Sequence, residues 1–251
     1  MSISLNHLII GAGFSGSVIA ERIASQLNEK VLVIEQRNHI GGNCYDSYDE
    51  NGVLIHNYGP HIFHTDYEDV WNYLLSFTEW NSYQHKVLAN VKGKNIPLPF
   101  NLKSIQLSFP RKEASKIIKS LLNSYKYGQK IPVLELLKSE DHFLKMLGDY
   151  VYENVFLNYT VKQWGLKPYE IDQSVTGRVP VYLSEDDRYF QDKYQGLPKL
   201  GYHKLFEKML QHPNIEIRLN TKMSQHVKID HFSKKILVDD KIFRGRLIFT
   251  G

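Results

Sequence analysis

Residues 8–43, LIIGAGFSGSVIAERIASQLNEKVLVIEQRNHIGGN, decide the fold. A short apolar run (Leu8, Ile9, Ile10) enters Gly11-Ala12-Gly13-Phe14-Ser15-Gly16. A helical stretch is expected over 17–28, and a second fully apolar run, Val31-Leu32-Val33-Ile34, ends at Glu35. Strand, glycine turn, helix and strand, with an acid about twenty residues past the turn, form the dinucleotide-binding fingerprint in its proper setting. Gly11 permits the tight turn, Gly13 lets backbone approach a pyrophosphate, and Gly16 lets the helix pack closely on the sheet. The helix N-terminus then faces the phosphate charge. Phe14 and Ser15 open that helix, and Glu35 is suited to accept from both ribose hydroxyls and to repel a 2′-phosphate. A GxGxxG alone would fit any glycine-rich turn between strand and helix; its place in this order is what points to a dinucleotide.

The residues just past Glu35 bear on the choice of dinucleotide. Gln36, Arg37 and then Gly41-Gly42-Asn43 extend the fingerprint with a basic residue and a glycine pair. An acid, a nearby arginine and Gly-Gly resemble the flavoproteins, in which the second turn also brings backbone close to the cofactor. FAD is therefore expected in preference to NAD.

The 251 residues suffice for one large domain or two modest ones. Basic side chains exceed acidic ones by only four (31 against 27) and form no long run, which speaks against nucleic acid as a partner. Cys44 is the sole cysteine, so no intrachain disulfide forms, as suits the reducing cytoplasm. The first strand begins at once, leaving no room for a signal peptide, and no apolar stretch reaches the length of a membrane span. The expectation is a soluble α/β protein of the cytoplasm, without membrane insertion.

Further along, 45–58 reads as a hairpin turning at Glu50-Asn51-Gly52. Thr65-Asp66 is expected to cap a helix over 67–77 with Val70, Trp71, Leu74 and Leu75 on its apolar face. Residues 87–98 alternate as a second hairpin around Lys92-Gly93. A helical block comes next: 113–125, then 133–137, 141–147, and a longer helix from 150 to about 163. Residues 168–181 lack a clean period, and 186–198 are polar and aromatic rather than core-like. An amphipathic helix to Leu210, strands at 215–219, 227–229 and 236–238, and a buried strand at 246–251 bring the chain back to the first sheet. His61 and His64 lie three apart, but no Cys or carboxylate pair nearby completes a metal site, and no metal is expected. From the residues alone, Tyr159 and Trp164 serve equally as helix packing and Arg178 as a solvated loop charge. His61 and His64 read equally as hydrogen-bonded structural imidazoles.

In combination, GAGFSG, QRNHIGGN, YGPHIFHT, NYTVKQWG, GRVPV, RYFQDKYQGLPKLGY and IFTG carry a resemblance along nearly the whole chain. The sequence resembles the bacterial UDP-galactopyranose mutases. Only the first two motifs are shared with flavoproteins at large; Tyr159-Thr160 followed by Lys162-Gln163-Trp164-Gly165 is the most specific. The resemblance implies an α/β fold: a FAD-binding Rossmann-type domain interrupted by a helical insertion and an antiparallel β-sheet. The implied segments are 1–80 and 196–251 for the FAD domain, 81–107 and 175–195 for the antiparallel sheet, and 108–174 for the helical substrate domain.

The implied cofactor site comprises Gly11, Gly13, Phe14, Ser15, Gly16, Glu35, Gln36, Gly42, Asn43 and His61. Tyr159 would stack the uracil of UDP-galactose, with Thr160 beside it and Trp164 shaping the sugar pocket. Arg178 would close over the diphosphate, Tyr189 would reach it from the other side, and His64 would stand beside flavin and diphosphate. Asn158 and His85 depart from the family's usual glycine and asparagine. The implied reaction is a redox-neutral exchange of pyranose and furanose rings in which N5 of reduced FAD, not a protein side chain, is the nucleophile. The product serves cell-surface polysaccharide synthesis, and a homodimer is compatible with the family. Two rivals stand beside this: an FAD-dependent oxidoreductase of the amine-oxidase type, and an inactive truncated chain. The family's sequences continue past the final Thr-Gly, so these 251 residues alone are expected to be inactive.

Overall fold

The computed structural model describes residues 5–157, 180–230, 232–233 and 235–251. They form two compact units, one built from residues up to Tyr83 together with Asp192–Gly251, the other from Gln84–Gln191.

The first unit is organised by a four-stranded parallel sheet in the order Ile215–Arg218, Val31–Ile34, His7–Ile10, Arg246–Phe249. Its two central strands are apolar at every position after His7 because both faces are covered. Ile9, Val31 and Val33 point to one face, where they meet Ala20 of helix Phe14–Arg22 and Leu205, Phe206 and Met209 of helix Tyr202–Leu210. Leu8, Ile10, Leu32 and Ile34 point to the other, against Val227, Val238 and Phe243. Those three come from an antiparallel meander, Val227–Asp230, Lys235–Val238 and Lys241–Phe243. Full burial of each such aliphatic side chain contributes about 1.5–3 kcal/mol.

The first helix starts at Phe14, three residues earlier than the sequence pattern suggests, because Gly13 in extended conformation serves as its N-cap. It widens into a π-type turn at Ile23–Leu27 and stops at Asn28, whose φ of 54° no helix accepts. Helix Glu68–Leu75 is not capped as expected. Thr65 Oγ1 accepts from Tyr67 N at 3.1 Å, while Asp66 turns away to accept from Lys193 N at 2.8 Å. Of its expected apolar face only Leu74 is buried; Val70 and Leu75 are exposed. The 186–198 stretch, read as non-core, supplies strand Tyr194–Pro198 to a small antiparallel sheet with Phe63–Thr65 and Trp80–Asn81. Gly196 there lies too close to the Asn81 carbonyl for any side chain, with a Cβ at 2.8 Å.

Hairpin Asp46–Tyr48 with Leu54–His56 forms as expected. Asp46, buried, accepts from Tyr202 N at 2.6 Å and His203 N at 2.8 Å and so caps a helix far along the chain. Gly201 precedes that helix with φ +87°, and a Cβ there would meet Asp46 Oδ2 at 2.8 Å. Glycine is required on both counts.

In the second unit, hairpin Val87–Val91 with Lys94–Leu98 also matches the alternation. Helix Leu102–Ser108 lies where only sheet was expected. Asn101 and Ser104 close a reciprocal capping box that starts it, a signal weaker in sequence than the usual Glu or Gln at the third position. Helix Arg111–Ser124 starts directly after Pro110. The two helices expected over 141–147 and from 150 onwards are one: His142–Val151 continues through Tyr152–Phe156. Gly148 allows close approach to helix Val133–Leu137, since its Cβ would fall 2.9 Å from the Leu136 carbonyl carbon. A three-stranded sheet (Lys130–Pro132, Pro180–Tyr182, Phe100–Asn101) completes the unit. Among the described residues no helix is long and apolar enough to cross a membrane.

Candidate functional site

Two glycine turns face each other at the carboxyl ends of the central strands. Gly11, with φ +101°, donates its N–H to Ile34 O at 2.8 Å and turns the chain into the first helix. A Cβ on Gly16 would lie 1.9 Å from the Gly11 carbonyl oxygen, so the helix contacts the turn closely only with glycine there. The second turn is tied to the first by Gly41 N donating to Ala12 O at 2.8 Å. Gly41 and Gly42 both have positive φ, +93° and +57°, and a Cβ on Gly42 would sit 3.0 Å from Gly13 Cα. Gly13 itself is unstrained and uncrowded: a Cβ there would meet only Gly42 Cα, at 3.8 Å. The two glycines thus keep open a cradle that side chains would fill.

The helix beginning at Phe14 has no side-chain cap and no acid in its first turn, leaving its first N–H groups and dipole facing outward. Ser15 is exposed there, and Phe14 packs edge-on against Tyr202 and Phe206. Glu35, nearly buried, holds the two turns in register: Oε2 accepts from Ala12 N and Oε1 from Arg37 N, both at 2.9 Å. Each carboxylate oxygen keeps further acceptor capacity. Arg37 Nη2 donates to Asn43 Oδ1 at 2.9 Å, and Gln36 and Asn43 are exposed beside it. Arg37 Nη1 is buried without a hydrogen-bond partner among the described residues. Backbone glycines, an uncapped helix terminus and an unpaired guanidinium N–H form a donor set that fits the ribose and diphosphate of a dinucleotide such as FAD.

His61 Nδ1 donates to Gly59 O at 2.8 Å and His61 N donates to His56 Nδ1 at 3.0 Å. His64, in strand Phe63–Thr65, pairs through Nδ1 with Asp192 at 3.0 Å. The carboxylate keeps the proton on that nitrogen. Cys44 lies just after the second turn, and burial, then Asp46, pushes its thiol up to about 11, far from a nucleophilic thiolate at neutral pH. In the second unit Tyr189 is partly exposed, its N–H donating to His85 O at 2.7 Å and its ring edge-on to His85. Tyr159, Thr160, Trp164 and Arg178 lie outside the described residues. Three participants escaped the sequence reading as site residues: Arg37, Tyr58 stacked beneath it, and Asp192 behind His64. The motif Tyr58-Gly59-Pro60-His61 was a signal for the second.

A family model described as UDP-galactopyranose mutase matches residues 154–251, and one described as an NAD(P)-binding Rossmann-like domain matches residues 9–77. The chain is 44% identical over 223 residues to dTDP-fucopyranose mutase of Escherichia coli, covering 87% of this chain and 57% of that protein. It is 36% identical over 251 residues to UDP-galactopyranose mutase of Mycoplasma genitalium, covering 99% of this chain and 61% of that one.

The chain is similar to the UDP-galactopyranose mutases.

Among solved structures, that of a reduced UDP-galactopyranose mutase superposes with a TM-score of 0.66 at 20% identity, covering 98% of this chain and 55% of that one. An oxidoreductase from Methanosarcina mazei superposes at 0.54 with 18% identity, covering 97% and 58%. These likenesses establish a shared fold. The chain spans somewhat more than half the length of the relatives it matches.

Proposed function

We propose that this chain supplies the FAD-holding part, and a share of the sugar-nucleotide part, of an enzyme that interconverts UDP-galactopyranose and UDP-galactofuranose without net oxidation. The observation that carries the proposal is the cradle between Gly13 and Gly42, beside an uncapped helix terminus and Arg37, in a chain whose relatives are nucleotide-sugar mutases. Bound and reduced, FAD supplies the covalent chemistry at the sugar's anomeric carbon. The protein binds, orients and balances charge. Gly11, Gly13, Gly16 and Gly42 admit the dinucleotide backbone; Phe14 and Ser15 present helix N–H groups; Glu35 accepts from ribose hydroxyls, with Gln36 and Asn43 alongside.

His61 and His64 are assigned to the neighbourhood of flavin and substrate diphosphate, where Asp192 fixes the tautomer of His64. Tyr189 is assigned to the phosphates. Tyr159, Thr160 and Trp164 complete the uracil and sugar contacts, and Arg178 offsets the charge on departing UDP through its planar fork. A cytoplasmic location, a homodimer and a role in polysaccharide synthesis belong to the same proposal. Incubation of a full-length protein that carries this sequence with FAD, dithionite and UDP-galactofuranose, with chromatography of the nucleotide sugars as readout, tests it: UDP-galactopyranose should accumulate in the absence of any net oxidant, and the 251 residues alone should not produce it. Stoichiometric bleaching of oxidised flavin by a substrate would point instead to an oxidoreductase. The 44% identity to dTDP-fucopyranose mutase favours one second reading, a dTDP-linked deoxysugar as substrate. Faster conversion of dTDP-fucopyranose in parallel reactions would establish it.

A further inference from the structure

The surroundings of Arg37 are more elaborate than a nucleotide turn requires. Its N–H and Nη2 are engaged by Glu35 and Asn43, each at 2.9 Å, and its guanidinium carbon lies 4.5 Å from the centre of the Tyr58 ring. Tyr58 is itself held. Its hydroxyl donates to His39 Nε2 at 2.7 Å, while His39 Nδ1 donates to Ile40 O at 2.9 Å, which makes Nε2 the acceptor. The buried His39 ring stacks on Tyr45, centroids 3.9 Å apart and planes 18° from parallel. A continuous buttress therefore runs from Tyr45 through His39 and Tyr58 to Arg37, at the mouth of the Gly41-Gly42 turn. At its end Nη1 is buried with no acceptor among the described residues. A desolvated guanidinium N–H is costly to leave unpaired, and such orphans mark places where a ligand oxygen belongs.

We infer that Tyr58, backed by His39, is a positioning residue that presents Arg37 Nη1 to an oxygen of the adenosine-diphosphate half of the bound dinucleotide. The inference rests on the FAD reading above. Arg37 sits two residues past Glu35, on the turn whose glycines face Gly13, so the ribose and diphosphate are the dinucleotide parts within its reach. The aromatic face holds the guanidinium by cation–π attraction without consuming an N–H, which leaves Nη1 for the ligand.

The test is equilibrium titration of the purified chain with FAD, read by quenching of flavin fluorescence, and with ADP in competition. Wild type is compared with Tyr58→Phe, Tyr58→Leu, Arg37→Ala and the Arg37→Ala/Tyr58→Leu double variant. Thermal unfolding without ligand checks folding. Tyr58→Leu should weaken both ligands about 2- to 30-fold, and Tyr58→Phe, which keeps the ring face, by less. In the Arg37→Ala background Tyr58→Leu should have no further effect, because its action runs through the guanidinium. Additive losses in the double variant, unchanged affinity in Tyr58→Leu, or a loss confined to FAD and absent for ADP would each overturn the inference while leaving FAD binding intact. A wild-type chain that takes up no FAD would overturn the cofactor reading as well.

Discussion

Replacing Gly13 by alanine separates folding from cofactor binding. The backbone at Gly13 has φ −78° and ψ −171°, open to any residue, and the added methyl would meet only Gly42 Cα at 3.8 Å. As N-cap, alanine is worse than glycine by roughly 0.5–1 kcal/mol, but it also restricts the unfolded chain, which returns roughly 0.4–1 kcal/mol. The net change in stability should therefore stay within about 1 kcal/mol. The same methyl occupies the mouth of the cradle, where the diphosphate must approach the helix N–H groups. Loss of one charge-assisted hydrogen bond costs about 1.5–3 kcal/mol, or at least about tenfold in affinity. Thermal unfolding without ligand and flavin titration should thus diverge: near-normal stability with FAD binding weakened tenfold or more. Wild-type affinity for FAD in Gly13→Ala would refute the cradle as the diphosphate site.

Gly16→Ala should do the reverse, because its methyl falls 1.9 Å from the Gly11 carbonyl oxygen where about 3.3 Å is needed. Chemical denaturation should show a loss of about 3 kcal/mol or more. Asp46→Ala leaves the Tyr202 and His203 N–H groups without their acceptor and should cost about 2 kcal/mol by the same assay, with Asp46→Asn recovering part of it. Cys44 provides a pH signature. Its thiol titrates at about 11 when folded against about 8.5 when unfolded, so the native state holds more protons between those values. Stability should fall as pH rises across that window, and Cys44→Ala should remove that component of the slope. An unchanged slope would show the thiol to be less buried than the structure has it.

The nucleotide unit is legible in sequence because its constraints are local and steric. Glycines at 11, 13 and 16 between two apolar runs leave few alternatives to a strand, a turn and a helix. Helix ends were harder, since nothing in Phe14-Ser15 distinguishes turn from first helical residues until Gly13 is seen as the cap. Helix Leu102–Ser108 escaped because a serine does the work usually done by glutamate in the capping box. Gly148 lies between the two expected helices, and its missing side chain serves helix packing. The cap that Asp46 gives to Tyr202 and the buttress from Tyr45 to Arg37 are long-range or mutual arrangements. No periodicity encodes them. Within the candidate site, the backbone cradle was readable and the side chains that hold Arg37 and His64 in place were not.

The parallel pairing of His7–Ile10 with Arg246–Phe249 sets a clock on biosynthesis. Thr250 Oγ1, which donates to Ile10 O at 2.8 Å, stands 2.9 Å from where a Cβ of Gly11 would be, so the first turn is walled by a residue 239 positions further along the chain. At roughly 5–20 residues per second on the ribosome, roughly 10–50 s separate the emergence of the turn from that of its wall. During that interval the 84–191 unit, whose core draws on its own residues, is free to fold in the nascent chain. The wall of the turn forms only afterwards, so the parallel sheet is completed late, once the 84–191 unit has had time to fold.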